Sequence, residues 1–154
     1  MLLLAACAKK SDPDPEFVQG MHWTENGATV TADTTTVNLY PTGHRMYVVG
    51  SVTAGADINR MQLNVPRRIG THVLGPSLGE SAETYSVRGN SVSNYFSTSA
   101  LAWDTVRGSG RIVVSRYDSS ATVGASRIAG TFSFRAVGSR GTKTVRDGWF
   151  DVNY

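Results

Sequence analysis

Residues 58–66 read INRMQLNVP, and they alternate strictly. Met61, Leu63 and Val65 fall on one side of an extended chain, and Arg60, Gln62 and Asn64 fall on the other. A period of two sets one face against a core and leaves the other to solvent, as in a half-buried antiparallel strand. The period recurs in GTFSFRAV, where Phe132, Phe134 and Ala136 share a face and Thr131, Ser133 and Arg135 take the opposite one. GRIVVSRY places Ile112 with Val114 and leaves Tyr117 at the exit. From Met21 onward no eleven-residue stretch keeps a 3.6-residue period without a Gly or a β-branched cluster breaking it. The chain is therefore expected to be all-β.

The alternation predicts strands over 21–25, 28–32, 35–40, 45–53, 58–65, 71–75, 84–88, 94–102, 110–117, 128–137 and 142–153. Turn chemistry separates them. Asn26-Gly27 is a two-residue hairpin signal, because both residues tolerate the positive φ of a type I′ turn. Pro41-Thr42-Gly43, Gly75-Pro76, Arg88-Gly89-Asn90, Gly108-Ser109-Gly110 and Gly138–Gly141 punctuate the rest. Asp147-Gly148 reads as a bulge or turn ahead of WFDVNY, and 76–83 as a loop with room for one helical turn. About ten short strands at this spacing form an antiparallel β-sandwich or, as the alternative, a β-barrel. The sandwich is favoured, since the inward positions alternate large and small and outline no ligand lumen. One body over 20–154 is expected, with neither an internal repeat nor a second domain.

The opening, MLLLAACAKKSDPDPEF, obeys different rules. Leu4-Ala5-Ala6-Cys7 has the form of a bacterial lipobox, in which small residues precede a cysteine whose thiol carries a diacylglyceryl group. Cys7 is the only cysteine, so no internal disulfide can form. The apolar run before it is shorter than the roughly 7–15 residues of a signal peptide, so residues 1–7 read as a truncated signal peptide with its lipobox. Residues 8–19 carry two prolines and many charges, too polar to bury a core, and read as a flexible tether. The expected partner is thus a membrane, reached through a lipid anchor at Cys7. The acidic run Asp12, Asp14 and Glu16 resembles the sorting signals of surface-exposed lipoproteins in the Bacteroidota. That resemblance implies an outer-membrane protein exposed at the cell surface; a periplasm-facing tether is the alternative.

Charge and motif content narrow the function classes. The formal net charge is +3, yet the arginines are scattered and only Arg67 and Arg68 are adjacent. A nucleic-acid binder gathers its cations on one face, so nucleic acid is not expected as a partner. His22, His44 and His72 belong to no H-E-x-x-H or C-x-x-C set, so neither a metal nor a cofactor is expected. There is no phosphate loop, since no glycine-rich stretch ends in Gly-Lys-Ser/Thr. The carboxylates mostly occupy turns, where Asp bonds its own backbone; Asp147 and Asp151 lie near one another in sequence. No catalytic residue is assigned. The aromatics are the remainder. Trp103 in ALAWDTVRG, with Asp104 and Arg107, is the candidate ligand-binding set, because an indole face covers sugar C–H groups while its N–H donates. Trp23 and Trp149 are expected in the core.

HWTENGATVTAD, MQLNVPRRIGTHVLG and RIAGTFSFRAVG…KTVRDGWFDVNY follow a recurring order. Trp23, Asn26 and Gly27 come first, Gly70-Thr71-His72-Val73-Leu74 second, Ala129-Gly130-Thr131-Phe132-Ser133-Phe134 third and Gly148-Trp149-Phe150 last. The order resembles a family of small Bacteroidota lipoproteins of unknown function. His72 stands where that family usually has Tyr, and Ala129 where it has Ser. The resemblance implies a shared fold over residues 20–154 and carries no catalytic residues. The expected function is a lipid-anchored, non-catalytic envelope domain that binds a glycan or a protein. The alternatives are a hydrolase whose site assembles only in three dimensions, and an accessory subunit of an outer-membrane complex.

Overall fold

A computed structural model describes residues 19–40, 44–75, 80–99, 108–122 and 124–154. Within them the chain forms β1 (Gly20–Glu25), β2 (Ala28–Thr31), β3 (Thr34–Leu39), β4 (Arg45–Ala54), β5 (Asp57–Pro66), β6 (Gly70–Leu74), β7 (Ser81–Arg88), β8 (Ser91–Ser97), β9 (Ser109–Asp118), β10 (Arg127–Gly138) and β11 (Gly141–Asn153). No helix is present among the described residues. Each of the eleven expected strands overlaps one of these, and every pairing is antiparallel. The expected loop over 76–83 is shorter than read, because Ser81–Glu83 already pair with β5; residues 76–79 lie outside the described residues.

One hydrogen-bonded sheet runs β2-β1-β11-β10-β8-β7-β5-β4-β3, and β9 and β6 extend from β10. The sheet is folded over on itself. Its first half is β2, β1, β11, β10, β9 and β6, and its second half is β3, β4, β5, β7 and β8. The long strand β10 joins the halves at one corner, pairing with β9 over Arg127–Arg135 and with β8 at Val137. At the opposite corner the chain steps from β2 to β3 through Ala32 and Asp33. The Ala32 N–H donates to the Met21 carbonyl (2.9 Å), and the next one, on Asp33, donates to the Ser51 carbonyl (2.8 Å). The layering is that of a sandwich, while the hydrogen bonding carried round both corners makes an open barrel.

Between the halves lies one core. Met21, Trp23, Ile112, Phe132, Phe134 and Phe150 come from the first half, and Met46, Val48, Met61, Leu63, Val65 and Ala82 from the second. Removing each large side chain from water contributes roughly 1.5–3 kcal/mol, so this stripe dominates the stability. The three alternating segments bury the faces that their sequence assigns to the interior.

β11 carries one irregularity with wide effect. Its pairing with β10 shifts between Phe132 and Phe134, and its pairing with β1 shifts between His22 and Thr24. Both shifts fall at Arg146–Gly148, where Asp147 takes a left-handed φ of 49°. This is a β-bulge, and one extra residue exchanges the two faces of a strand. Before it Val145 points inward; after it Gly148, Phe150 and Val152 do.

The two ends of the molecule differ. Four hairpins close at one end, each with two turn residues: Asn26–Gly27, Gly55–Ala56, Gly89–Asn90 and Ser139–Arg140. At the other end the connections are longer. Residues 67–69 cross there from β5 to β6, and Arg67 Nε donates to the Tyr117 hydroxyl (3.0 Å) at the close of β9. Gly20, the first strand residue, also lies there, opposite Asp151.

Candidate binding cleft

At the hairpin end the layers part around a cleft of about 490 Å³. Its contents follow from strand phase. The inward face of β1 runs Met21, Trp23, Glu25, that of β7 runs Ala82, Thr84, Ser86, and that of β5 continues outward from Met61 to Asn59. The core residues of each series lie deep and the polar ones stand at the mouth. Trp23 is 4% exposed and forms the floor, and its indole N–H donates to Glu25 Oε2 (3.4 Å). Val30 and Val52 make apolar walls.

Glu25 Oε1 pairs with Lys143 Nζ at 2.9 Å, both side chains being mostly buried. The same ammonium stands 4.9 Å from the centre of the Phe96 ring, a distance at which the ring's negative face attracts it. Around the rim, Ser86 Oγ donates to Asn59 Oδ1 (2.7 Å), and Arg140 Nη1 donates to Asn94 Oδ1 (2.5 Å). Thr84 and Arg60 are the exceptions to this satisfied network, the Arg60 Nε being buried with no hydrogen-bond partner among the described residues. Thr84 is 4% exposed, lines the cleft, and its Oγ1 is buried with no hydrogen-bond partner among the described residues. A buried hydroxyl left unpaired costs about 1–3 kcal/mol, so the position suits a polar partner.

A second feature lies on the outer face of the first half. Because of the bulge, Trp149 points outward and stacks on the exposed His22, with ring centres 5.3 Å apart and planes inclined by 22°. Beside them a shallow depression of about 280 Å³ is lined by Arg111, Val113, Thr131, Ser133 and Asp147, among others. This corrects the expectation that Trp149 belongs to the core. Trp23 does lie in the core.

The remaining candidates separate. Cys7 lies outside the described residues, and so do Trp103, Asp104 and Arg107. His44 is exposed, and His72 is buried with Nε2 3.2 Å from the Arg68 carbonyl. Asp147 and Asp151 do not act together: Asp147 sits exposed in the bulge, while Asp151 is 6% exposed and holds Arg127 through two bonds of 2.7 and 2.5 Å. Among the described residues no three His, Cys, Asp or Glu side chains gather as metal ligands would.

Several tyrosines are perturbed. Tyr95 is pushed up to about 12, first by burial and then by the charge of Glu83. Tyr47 rises to about 12, chiefly through its hydrogen bond with Tyr40. Tyr154 reaches about 12 through burial and its neighbour Tyr117. Burial also raises Tyr117, but the bond from Arg67 and the neighbouring polar groups outweigh it and hold that phenol below its ordinary value.

The sequence reading missed Glu25, Thr84, Phe96 and Lys143 as cleft residues. A signal was present: Glu25 lies two positions beyond Trp23 and Lys143 two before Val145, so both are charges in an inward phase beside a hairpin.

An all-β sandwich with a polar-rimmed, aromatic-floored cleft at one end defines this class of protein. Its sequence specifies the family: the chain belongs to the one described as Domain of unknown function (DUF6252), whose model matches residues 19–152. No curated protein and no solved structure matches the chain at a significant level.

Proposed function

We propose that this protein is a lipid-anchored, non-catalytic domain of the bacterial cell envelope that binds a short glycan in the cleft between its layers. The observation that carries the reading is the Thr84 hydroxyl, buried and unpartnered in a cleft with an indole floor. A saccharide offers what such a site accepts: C–H faces for Trp23 and Phe96, and hydroxyls that both donate and accept for Thr84, Ser86, Asn59 and the Glu25–Lys143 pair. The lipobox at Cys7 and the polar stretch behind it support anchoring, and the acidic run at Asp12, Asp14 and Glu16 supports display at the outer surface in a member of the Bacteroidota. A second reading seats the sugar on the Trp149–His22 stack, which is favoured by its outward, half-exposed indole.

A glycan array probed with the full-length chain, followed by calorimetry, tests both. Binding without turnover is expected. Thr84→Val deletes a hydroxyl that bonds nothing among the described residues, so it should leave the melting temperature unchanged or higher. The same change should weaken saccharide binding about two- to tenfold, the worth of one hydrogen bond. Equal affinity of Thr84→Val and the parent, together with loss in Trp149→Ala, moves the site to the outer stack. Hydrolysis of the glycan, or no saccharide bound at all, overturns the proposal. Mass spectrometry of protein taken from cell membranes checks for acyl chains on Cys7.

A further inference from the structure

The end of the molecule opposite the cleft combines three features. First, it is cationic. Arg45, Arg67 and Arg68 surround a depression of about 300 Å³, against the single carboxylate of Glu80. Among the described residues, Asp118 and Asp151 at this end are already engaged, by Arg116 and Arg127. Second, it exposes large apolar side chains. Leu39 is 52% and Ile69 65% exposed, and Tyr40, next to Leu39 in sequence, is 43% exposed. Leu39 points along the inward phase of β3 but lies past the end of the core, and Ile69 belongs to the segment that crosses from β5 to β6. Third, the N-terminal segment joins the body here, since Gly20 opens β1 at this end and the strand runs from it toward the cleft.

We infer that this end is a docking face for a bilayer of anionic lipids, with the guanidinium groups on headgroup phosphates and Leu39, Tyr40 and Ile69 set into the interface. Cations interleaved with apolar and aromatic side chains are what a lipid surface accepts, since the apolar groups leave water while the charges meet the phosphates. The orientation agrees with the chain's own connectivity. The eleven residues between Cys7 and Gln19 reach at most about 40 Å, so acyl chains on Cys7 would keep the Gly20 end near the membrane. The cleft then opens away from it. The proposal rests on the anchored reading for its choice of bilayer, and on the body's own residues for its chemistry.

The test uses the full-length chain with Cys7→Ser, which cannot carry an acyl group, in sedimentation with vesicles of phosphatidylcholine alone or mixed with phosphatidylglycerol. Binding to the mixed vesicles only, weakened by salt, is expected. Roughly 1 kcal/mol per basic residue at an anionic surface converts to about fivefold each, so Arg45→Gln with Arg68→Gln should weaken binding by about thirtyfold. Ile69→Ser should weaken it several-fold, with melting temperatures close to the parent's. Equal binding to both vesicle types, no binding to either, or unchanged binding by the double variant overturns the docking face. A bare Cys7 in cell-derived protein, with anionic-vesicle binding intact, overturns the anchor and leaves the docking face standing.

Discussion

Gly148 has no room for a side chain. A Cβ built there would lie 2.3 Å from Phe132 Cε2, inside the ring's van der Waals envelope. Gly148→Ala must displace the Phe132 ring, which packs against Phe150 with ring centres 6.3 Å apart. The expected loss is about 1–3 kcal/mol, the usual range for overpacking a core, read from the urea midpoint. Asp151 is constrained by charge rather than space. Asp151→Ala leaves Arg127 buried without its carboxylate, and a loss of about 3–5 kcal/mol is expected in the same assay. The sequence made neither position plain. Gly148 reads as a turn residue and Asp151 as half of a carboxylate pair, because the partners, Phe132 and Arg127, lie far away along the chain. Trp149 shows the limit most clearly. Counting in twos from Val145 puts it inside, and only the extra residue at Asp147 turns it out.

Strands were the most legible level, because alternation is a local property and a packed face enforces it. Asn26-Gly27 is the best case: its φ values of 52° and 83° are those that the dipeptide announces. Gly27→Ala forces a Cβ into that left-handed geometry. It should destabilise the hairpin by about 1–2 kcal/mol, seen as faster hydrogen exchange at Trp23 and Val30, which face each other across it. The poorest boundary is that of β8, expected over 94–102 and found at Ser91–Ser97. Residues 91–95 are all exposed and Asn94 takes a φ of 51°, so no buried face imposed a period there to be read.

The arrangement of the whole was hardly legible, since it depends on pairings between distant segments, β1 with β11 above all. The cleft and the cationic end exist only once those strands meet. Stability at this scale should show the perturbed phenols. Tyr47, Tyr95 and Tyr154 each hold a proton up to about 12 in the folded state, against 10.0 when free. A group whose folded value is raised contributes its full stability below the unfolded value and loses it as pH climbs through the folded one. The protein should therefore keep constant stability up to about pH 10 and lose it between pH 10 and 12, with tyrosinate absorbance rising in step with the loss of β-sheet circular dichroism. Unfolding that begins below pH 9 would assign alkaline sensitivity to other groups.

The two-residue hairpins at the cleft end have a consequence for how relatives of this chain can diverge. Such turns cannot lengthen without disturbing the register of the strands they join. Diversity at that mouth must therefore come from exchanging single side chains at the last inward positions, such as Glu25, Asn59, Ser86 and Lys143. A designer wishing to retarget the protein should mutate these positions and leave the loops uncut.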